Sequence, residues 1–268
     1  MKHIILIFII LISNINVFAE DSSPKVYVNN EIVIFDIDPI IEDGHMLAGL
    51  RPIFESMGMS VSWSPIWDKV IILNDAASFE VNPNYNTLLI NRKVSPIEFV
   101  IKLTDSKMFV SLRPVLEAVG ASVLWDSETN SVFVEYEPPV SKTVEDCTEA
   151  FDYLTSSAKS FSVGGVGYSG ELSTEAKNFI KIFKSGNGKE YFKKLSAAGN
   201  DVGKLYALCG LYLLDNKNIH ETIKTVEFKG TDISFMSGCL LGETSIESVK
   251  DGILSGFHPS MLYDCIYR

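Results

Sequence analysis

The chain has 268 residues, with 23 Lys and Arg against 34 Asp and Glu, a formal net charge of −11, and 46% hydrophobic residues. Such an acidic balance excludes the clustered cations that neutralise phosphates, so no nucleic-acid partner is expected, and it argues against anionic membrane surfaces. The length fits one large domain or two of ordinary size.

Lys2 precedes an apolar run from Ile4 to Ile12, a polar break, and Val17-Phe18-Ala19 ahead of Glu20. One cation, a short apolar core and a small residue at the exit describe a secretory signal peptide over residues 1–19, cleaved after Ala19. The run is too short to span a bilayer, no later stretch is apolar enough to do so, and no cysteine follows it for acylation. No transmembrane span is expected in the mature chain, which would be secreted, periplasmic or part of the cell envelope. Lys2 is the only charged residue removed, so cleavage takes the net charge from −11 to −12.

From there an internal repeat dominates. Leu50-Arg51-Pro52-Ile53-Phe54-Glu55-Ser56-Met57-Gly58 and the following Val61-Ser62-Trp63 recur as Leu112-Arg113-Pro114-Val115-Leu116-Glu117-Ala118-Val119-Gly120 and Val123-Leu124-Trp125, at a constant offset of 62. The two units are placed at 25–75 and 80–137. Lys25 to Phe35 alternates around Asn29-Asn30, and Thr87 to Ile97 around Asn91-Arg92, each the pattern of a β-hairpin. Arg51 to Met57 and Arg113 to Val119 follow with helical spacing. Pro52 and Pro114 fall where a first-turn proline is tolerated, and Gly58 and Gly120 where a helix ends in a left-handed residue. Two further strands, Val61 to Trp63 with Val70 to Leu73 and Val123 to Trp125 with Val132 to Tyr136, close each unit.

This Leu-Arg-Pro, Glu, Gly, Val-x-Trp motif resembles the copper amine oxidase N-terminal domain, or stalk domain, over residues 25–137. The resemblance implies a small antiparallel sheet wrapped by a helix, carried as a non-catalytic appendage on amine oxidases and on exported bacterial envelope proteins. It implies no copper here. The metal and quinone chemistry of those enzymes belongs to a separate large domain with a histidine triad and a modified tyrosine, for which the second half is too short. The Arg51/Glu55 and Arg113/Glu117 pairs, four apart on a helix, are read as structural ion pairs or ties to a neighbouring strand. Trp63 and Trp125, each beside a valine on an alternating strand, are read as core rather than as sugar platforms.

Glu137-Pro138-Pro139-Val140 reads as a stiff linker. Beyond it the apolar period changes to about 3.6, the period of a helix, so 143–268 is expected to be a mostly helical domain. Thr244-Ser245-Ile246-Glu247 matches a capping box. The fold class is therefore α+β, two tandem sheet-plus-helix modules followed by a mostly α-helical domain. Cys147, Cys209, Cys239 and Cys265 all lie in this half, and an export signal favours disulfides among three possible pairings, with free buried thiols or a metal site as alternatives.

No segment carries a catalytic signature. Ser162 to Gly170 lacks both a Gly-Lys-Ser/Thr continuation and the Gly-x-Ser-x-Gly spacing, and reads as a flexible loop between helices. Asp36, Asp38, Asp43 and Gly44 evoke a calcium loop but miss its ligand spacing, which favours a turn. His45, His220 and His258 are scattered; a triad through Ser169, or a thiol nucleophile at Cys209 or Cys239 with His220, is the weaker reading. The expectation is a non-enzymatic envelope protein without cofactor, in which the repeats bind or space and present the helical half to cell-wall polymer or an envelope protein. A secreted hydrolase and a protein-binding inhibitor or assembly factor are the alternatives.

Overall fold

The computed structural model describes residues 23–74, 77–96, 98–104, 107–138 and 145–267. The expected signal peptide, its cleavage point, Pro139-Val140 of the linker and Thr143 lie outside the described residues. Mixed content is plain, with antiparallel sheets in the N-terminal half and helices mostly in the C-terminal half, so the chain is α+β.

The first copy supplies β1 (Lys25–Val28), β2 (Glu31–Ile32), β3 (Ile40–Glu42), β4 (His45–Gly49), α1 (Leu50–Ser56), β5 (Ser60–Ser64) and β6 (Lys69–Leu73). After β7 (Ser78–Asn82), the same order returns as β8 (Thr87–Ile90), β9 (Lys93–Val94), β10 (Ile101–Thr104), β11 (Lys107–Ser111), α2 (Leu112–Ala118), β12 (Ser122–Asp126) and β13 (Ser131–Glu135). The hairpin turns match in backbone conformation as well. Asn29 and Asn30 have φ of 49° and 68°, and Asn91 and Arg92 the same two values. Both pairs adopt the left-handed conformations that a two-residue turn between twisted strands requires. Gly58 and Gly120, after the two helices, have φ of +78° and +91°.

The copies do not sit side by side; they exchange strands. The opening hairpin of the first joins the closing hairpin of the second in a sheet of order β12-β13-β1-β2, and β1 runs parallel to β13. The closing hairpin of the first joins the opening hairpin of the second as β5-β6-β7-β8-β9. Between them lies β10-β11-β4-β3, half from each copy. One core therefore draws on both copies, with Val26, Ile53 and Phe54 beside Val115, Leu116 and Val132. The arrangement is close to a pseudo-twofold, broken by β7, which is inserted between β6 and β8 where β13 and β1 pair directly.

The C-terminal half contains α3 (Thr148–Asp152) running into a π turn (Tyr153–Ser157), β14 (Ser160–Val166), β15 (Glu171–Leu172), α4 (Thr174–Phe183), α5 (Gly188–Ala198), α6 (Asp201–Leu214), a 3-10 turn (Asn216–Asn218), α7 (Ile219–Thr225), β16 (Asp232–Gly238), β17 (Leu240–Ser245), α8 (Ile246–Leu254) and α9 (Phe257–Ile266). Its sheet, β15-β14-β16-β17, corrects the reading of Ser162 to Gly170 as a loop between helices. Ser and Gly weaken the strand signal, but β14 is paired on both sides, and Gly165 is needed because a Cβ there would stand 2.3 Å from the Gly170 carbonyl oxygen. The capping box shifts by one residue. Ser245, the last residue of β17, and not Thr244, caps α8 by accepting from the Ser248 amide.

Central to this half is α6, buried nearly all round. It approaches the π turn closely at Gly203, where a Cβ would lie 2.0 Å from the Leu154 carbonyl oxygen. Backbone cannot move aside as a side chain can, so Gly203→Ala is expected to destabilise by about 1–3 kcal/mol despite alanine's better helix propensity. A urea titration reads this directly, and an unchanged midpoint would show that α6 has room to slide.

The halves are joined by burial. Ile71 and Leu73 of β6 belong to the C-terminal core, not to that of the repeats. At about 1.5–3 kcal/mol for each fully buried aliphatic side chain, they make a substantial part of the docking. The C-terminal half thus covers the outer face of the β5–β9 sheet over β5 to β7.

Candidate functional site

The two Leu-Arg-Pro motifs place their arginines alike and then meet different surroundings. Arg51 pairs with Glu55 at 3.3 Å and donates to the Val61 carbonyl at 2.7 Å; Arg113 pairs with Glu117 at 3.6 Å and donates to the Val123 carbonyl at 3.2 Å. Each arginine ties its helix to the following strand. These pairs are solvent-exposed and contribute only about 0.2–0.5 kcal/mol apiece.

Around the first motif the C-terminal half closes in. Arg51 also donates to Asn216 Oδ1, the Asn216 amide donates to Ser60 Oγ, and Tyr212 donates its hydroxyl to the Trp63 carbonyl at 3.0 Å. Trp63 itself is 39% exposed, which corrects its reading as core. On β5 it is the small Ser60, Ser62 and Ser64 that are buried, because the C-terminal half lies over their face. Alternation alone does not reveal that a strand is covered on both sides.

Around the second motif a cavity of about 1020 Å³ stays open. Pro114 and Arg113 at the start of α2 form one wall, and Val123, Trp125 and Val132 another. The β3–β4 hairpin contributes Ile41, Gly44, His45 and Met46, and Asn86, Glu98, Phe99 and Val100 complete the rim. Trp125 packs against the repeat core, as its reading expected, and is partly exposed along this groove. The rim is held rigidly: Asn86 donates to the Phe99 carbonyl, and Ser111 Oγ accepts from the Val100 amide. That leaves an aromatic edge and apolar floor beside an imidazole, an amide, a carboxylate and a guanidinium. Such a mixture suits an extended ligand with apolar faces and many hydrogen-bonding groups. Asp43 and Gly44, evoked as part of a calcium loop, form the β3–β4 turn with φ of 50° and 77°.

A second polar centre lies where the halves meet. Glu80 on the inserted β7, 2% exposed, accepts from Lys69 Nζ at 2.6 Å, Arg92 Nη1 at 3.4 Å and the Tyr263 hydroxyl at 3.0 Å. Arg92 also reaches Asp264 at 3.3 Å. Burial pushes the Tyr263 hydroxyl well above the usual tyrosine range, so it stays protonated and donates. Sequence reading missed this group, since its members come from four elements. The available signal was a lone Glu in the apolar alternation Ser78-Phe79-Glu80-Val81.

The residues weighed for catalysis are dispersed. Ser169 follows β14, His220 is exposed on α7, and Cys209 is buried within α6, where burial raises its pKa and keeps it a thiol. His258 lies against Phe161 with its Nδ1 unpartnered, and burial lowers its pKa to about 4. The disulfide expectation is corrected too. Among the described residues no two cysteines stand at disulfide distance: Cys147, Cys209 and Cys265 are buried and Cys239 is exposed, with Cys147 donating to the Lys181 carbonyl and Cys265 to the Val163 carbonyl. Among the described residues no group of three or more His, Cys, Asp or Glu could hold a metal ion. No helix among them is long and apolar enough to cross a membrane.

Residues 27–134 match the family model of the copper amine oxidase N-terminal domain, a non-catalytic domain of those enzymes. The C-terminal half matches no family model. No curated protein matches the chain.

Proposed function

We propose that this is an exported, non-catalytic envelope protein whose interlocked stalk modules hold cell-wall polymer in the groove beside Arg113 and Trp125. The C-terminal half, docked on the opposite sheet, is the interaction domain that they present. Export rests on the signal-peptide pattern of residues 1–19. The observation that carries the reading is the contrast between the two motifs: one is closed over by the chain itself, the other opens on about 1020 Å³ with an aromatic wall and a polar rim. Sugar rings stack their C–H groups on the face of an indole, while Glu98, Asn86, His45 and Arg113 offer partners for hydroxyls, amides and carboxylates.

The chain from Glu20 onward, which keeps every described residue, should be retained on purified cell-wall sacculi and release no soluble fragments from them. Trp125→Ala combined with Arg113→Gln should weaken retention by roughly tenfold or more, the equivalent of about 1.4 kcal/mol. Wild-type protein that washes through, or a double variant retained as well as wild type, would sink the reading.

A further inference from the structure

The pseudo-twofold makes the outer faces of the two outer sheets directly comparable. Across β5 to β9 the row Ser62, Ile71, Glu80, Leu89, Val94 runs in register, and the C-terminal half covers its β5–β7 part, leaving Ser62 2%, Ile71 1% and Glu80 2% exposed, while Val94 on the last strand is open. Its counterpart across β12, β13, β1 and β2, which has no match for Glu80 of the inserted strand, is Leu124, Phe133, Tyr27, Ile32, also in register. This row lies open. Leu124 is 66% and Ile32 51% exposed, and the Phe133 and Tyr27 rings stack at 5.0 Å between them. The open row is more apolar than the buried one, the reverse of what a solvated face selects: where the covered sheet has Ser62, the bare one has leucine. A contiguous apolar row of this kind marks a contact surface.

We infer that this face is where a second copy of the chain binds, sheet against sheet, about a twofold axis. The row is suited to itself. Two such faces stack at about 10 Å with their side chains interdigitated, as the sheets of a β-sandwich do. Charge agrees with the geometry. Lys25 lies on one side of the row and Glu135 on the other, both exposed. A twofold axis along the row therefore brings the Lys25 end of each copy over the Glu135 end of its partner. A four-stranded face about 19 Å across, with strands of at most about 17 Å, offers roughly 320 Å², well under the roughly 800 Å² per partner of a tight complex, so the dimer is weak. Each copy is strongly acidic, so added salt screens their mutual repulsion and tightens an apolar contact.

Sedimentation equilibrium on the chain from Glu20 onward tests this. The weight-average mass should rise from one chain towards two between roughly 10 and 500 µM, the range for a small interface, and the rise should shift to lower concentration at high salt. Leu124→Glu and Ile32→Lys, both at exposed positions, should each raise the dissociation constant at least about tenfold with an unchanged melting temperature. Lys25→Glu should weaken the dimer mainly at low salt. Tyr168→Glu, at a fully exposed residue of another turn, is the control and should change nothing. A chain that stays monomeric across this range in high salt would overturn the proposal and assign the row to a different protein. So would a dimer indifferent to Leu124→Glu and Ile32→Lys.

Discussion

Glu80→Ala is expected to destabilise the protein by about 3–5 kcal/mol, the cost of leaving buried charge uncompensated. Lys69, only 9% exposed, loses its 2.6 Å partner, the Tyr263 hydroxyl loses its acceptor, and Arg92 keeps only Asp264. The damage should be regional. Glu80 joins β7 to α9, so its loss weakens the docking of the halves more than either core. All three tryptophans, Trp63, Trp67 and Trp125, lie in the repeats, while most helix lies in the C-terminal half. Tryptophan fluorescence and far-UV circular dichroism therefore follow different halves during urea unfolding. The variant should show two separated transitions, with the wild type less split and at higher urea. Replacing both members, Glu80→Leu with Lys69→Met, should recover much of the loss, since an apolar pair of similar volume avoids the desolvation penalty. A single variant within about 1 kcal/mol of wild type would mean that water reaches Lys69 freely and that the ion pair is not a structural tie.

Acid should destabilise the C-terminal half through His258. Burial lowers its pKa from 6.5 to about 4, with Nδ1 left without a partner. The unfolded chain binds a proton as pH falls through about 6.5, whereas the folded chain resists until about 4. Stability is therefore full above 6.5, falls between these values, and loses nothing further from this group below 4. The difference corresponds to about 3 kcal/mol. His258→Gln removes the titration, so its stability should decline less than that of wild type between pH 7 and 4.5, by most of that amount. Parallel declines in the two proteins would show that the folded histidine protonates near its ordinary value. The ring also packs edge-on against Phe161, so the variant should be less stable than wild type at neutral pH.

The four cysteines show where compartment reasoning falls short. An export signal predicts the oxidising surroundings in which disulfides persist, but pairing needs geometry as well as redox potential. Cys147, on the turn before α3, donates to Lys181 of α4, Cys209 is enclosed by α6, and Cys239 sits exposed between β16 and β17. Nothing in their spacing along the chain reveals that separation. The tryptophans teach a similar lesson. Trp63 and Trp125 follow valines on alternating strands, a pattern that is the same for a core strand and for one whose edge borders a groove.

What the sequence determined by itself was local. The constant offset of 62, the Asn-Asn and Asn-Arg turns, the short proline-started helices and their closing glycines are each specified within a few neighbouring residues, and the structure places them in both copies. Dihedral preference and periodicity act at that range. Tertiary structure alone decided which hairpins share a sheet, because an alternating strand presents the same face to any partner. It put β1 beside β13, more than a hundred residues later, inserted β7 into only one of the two outer sheets, and covered that sheet with the C-terminal half. The groove beside Trp125, the buried Glu80 and the open Leu124 row all follow from that broken symmetry, which arises from contacts between distant segments and leaves no periodic trace in the chain.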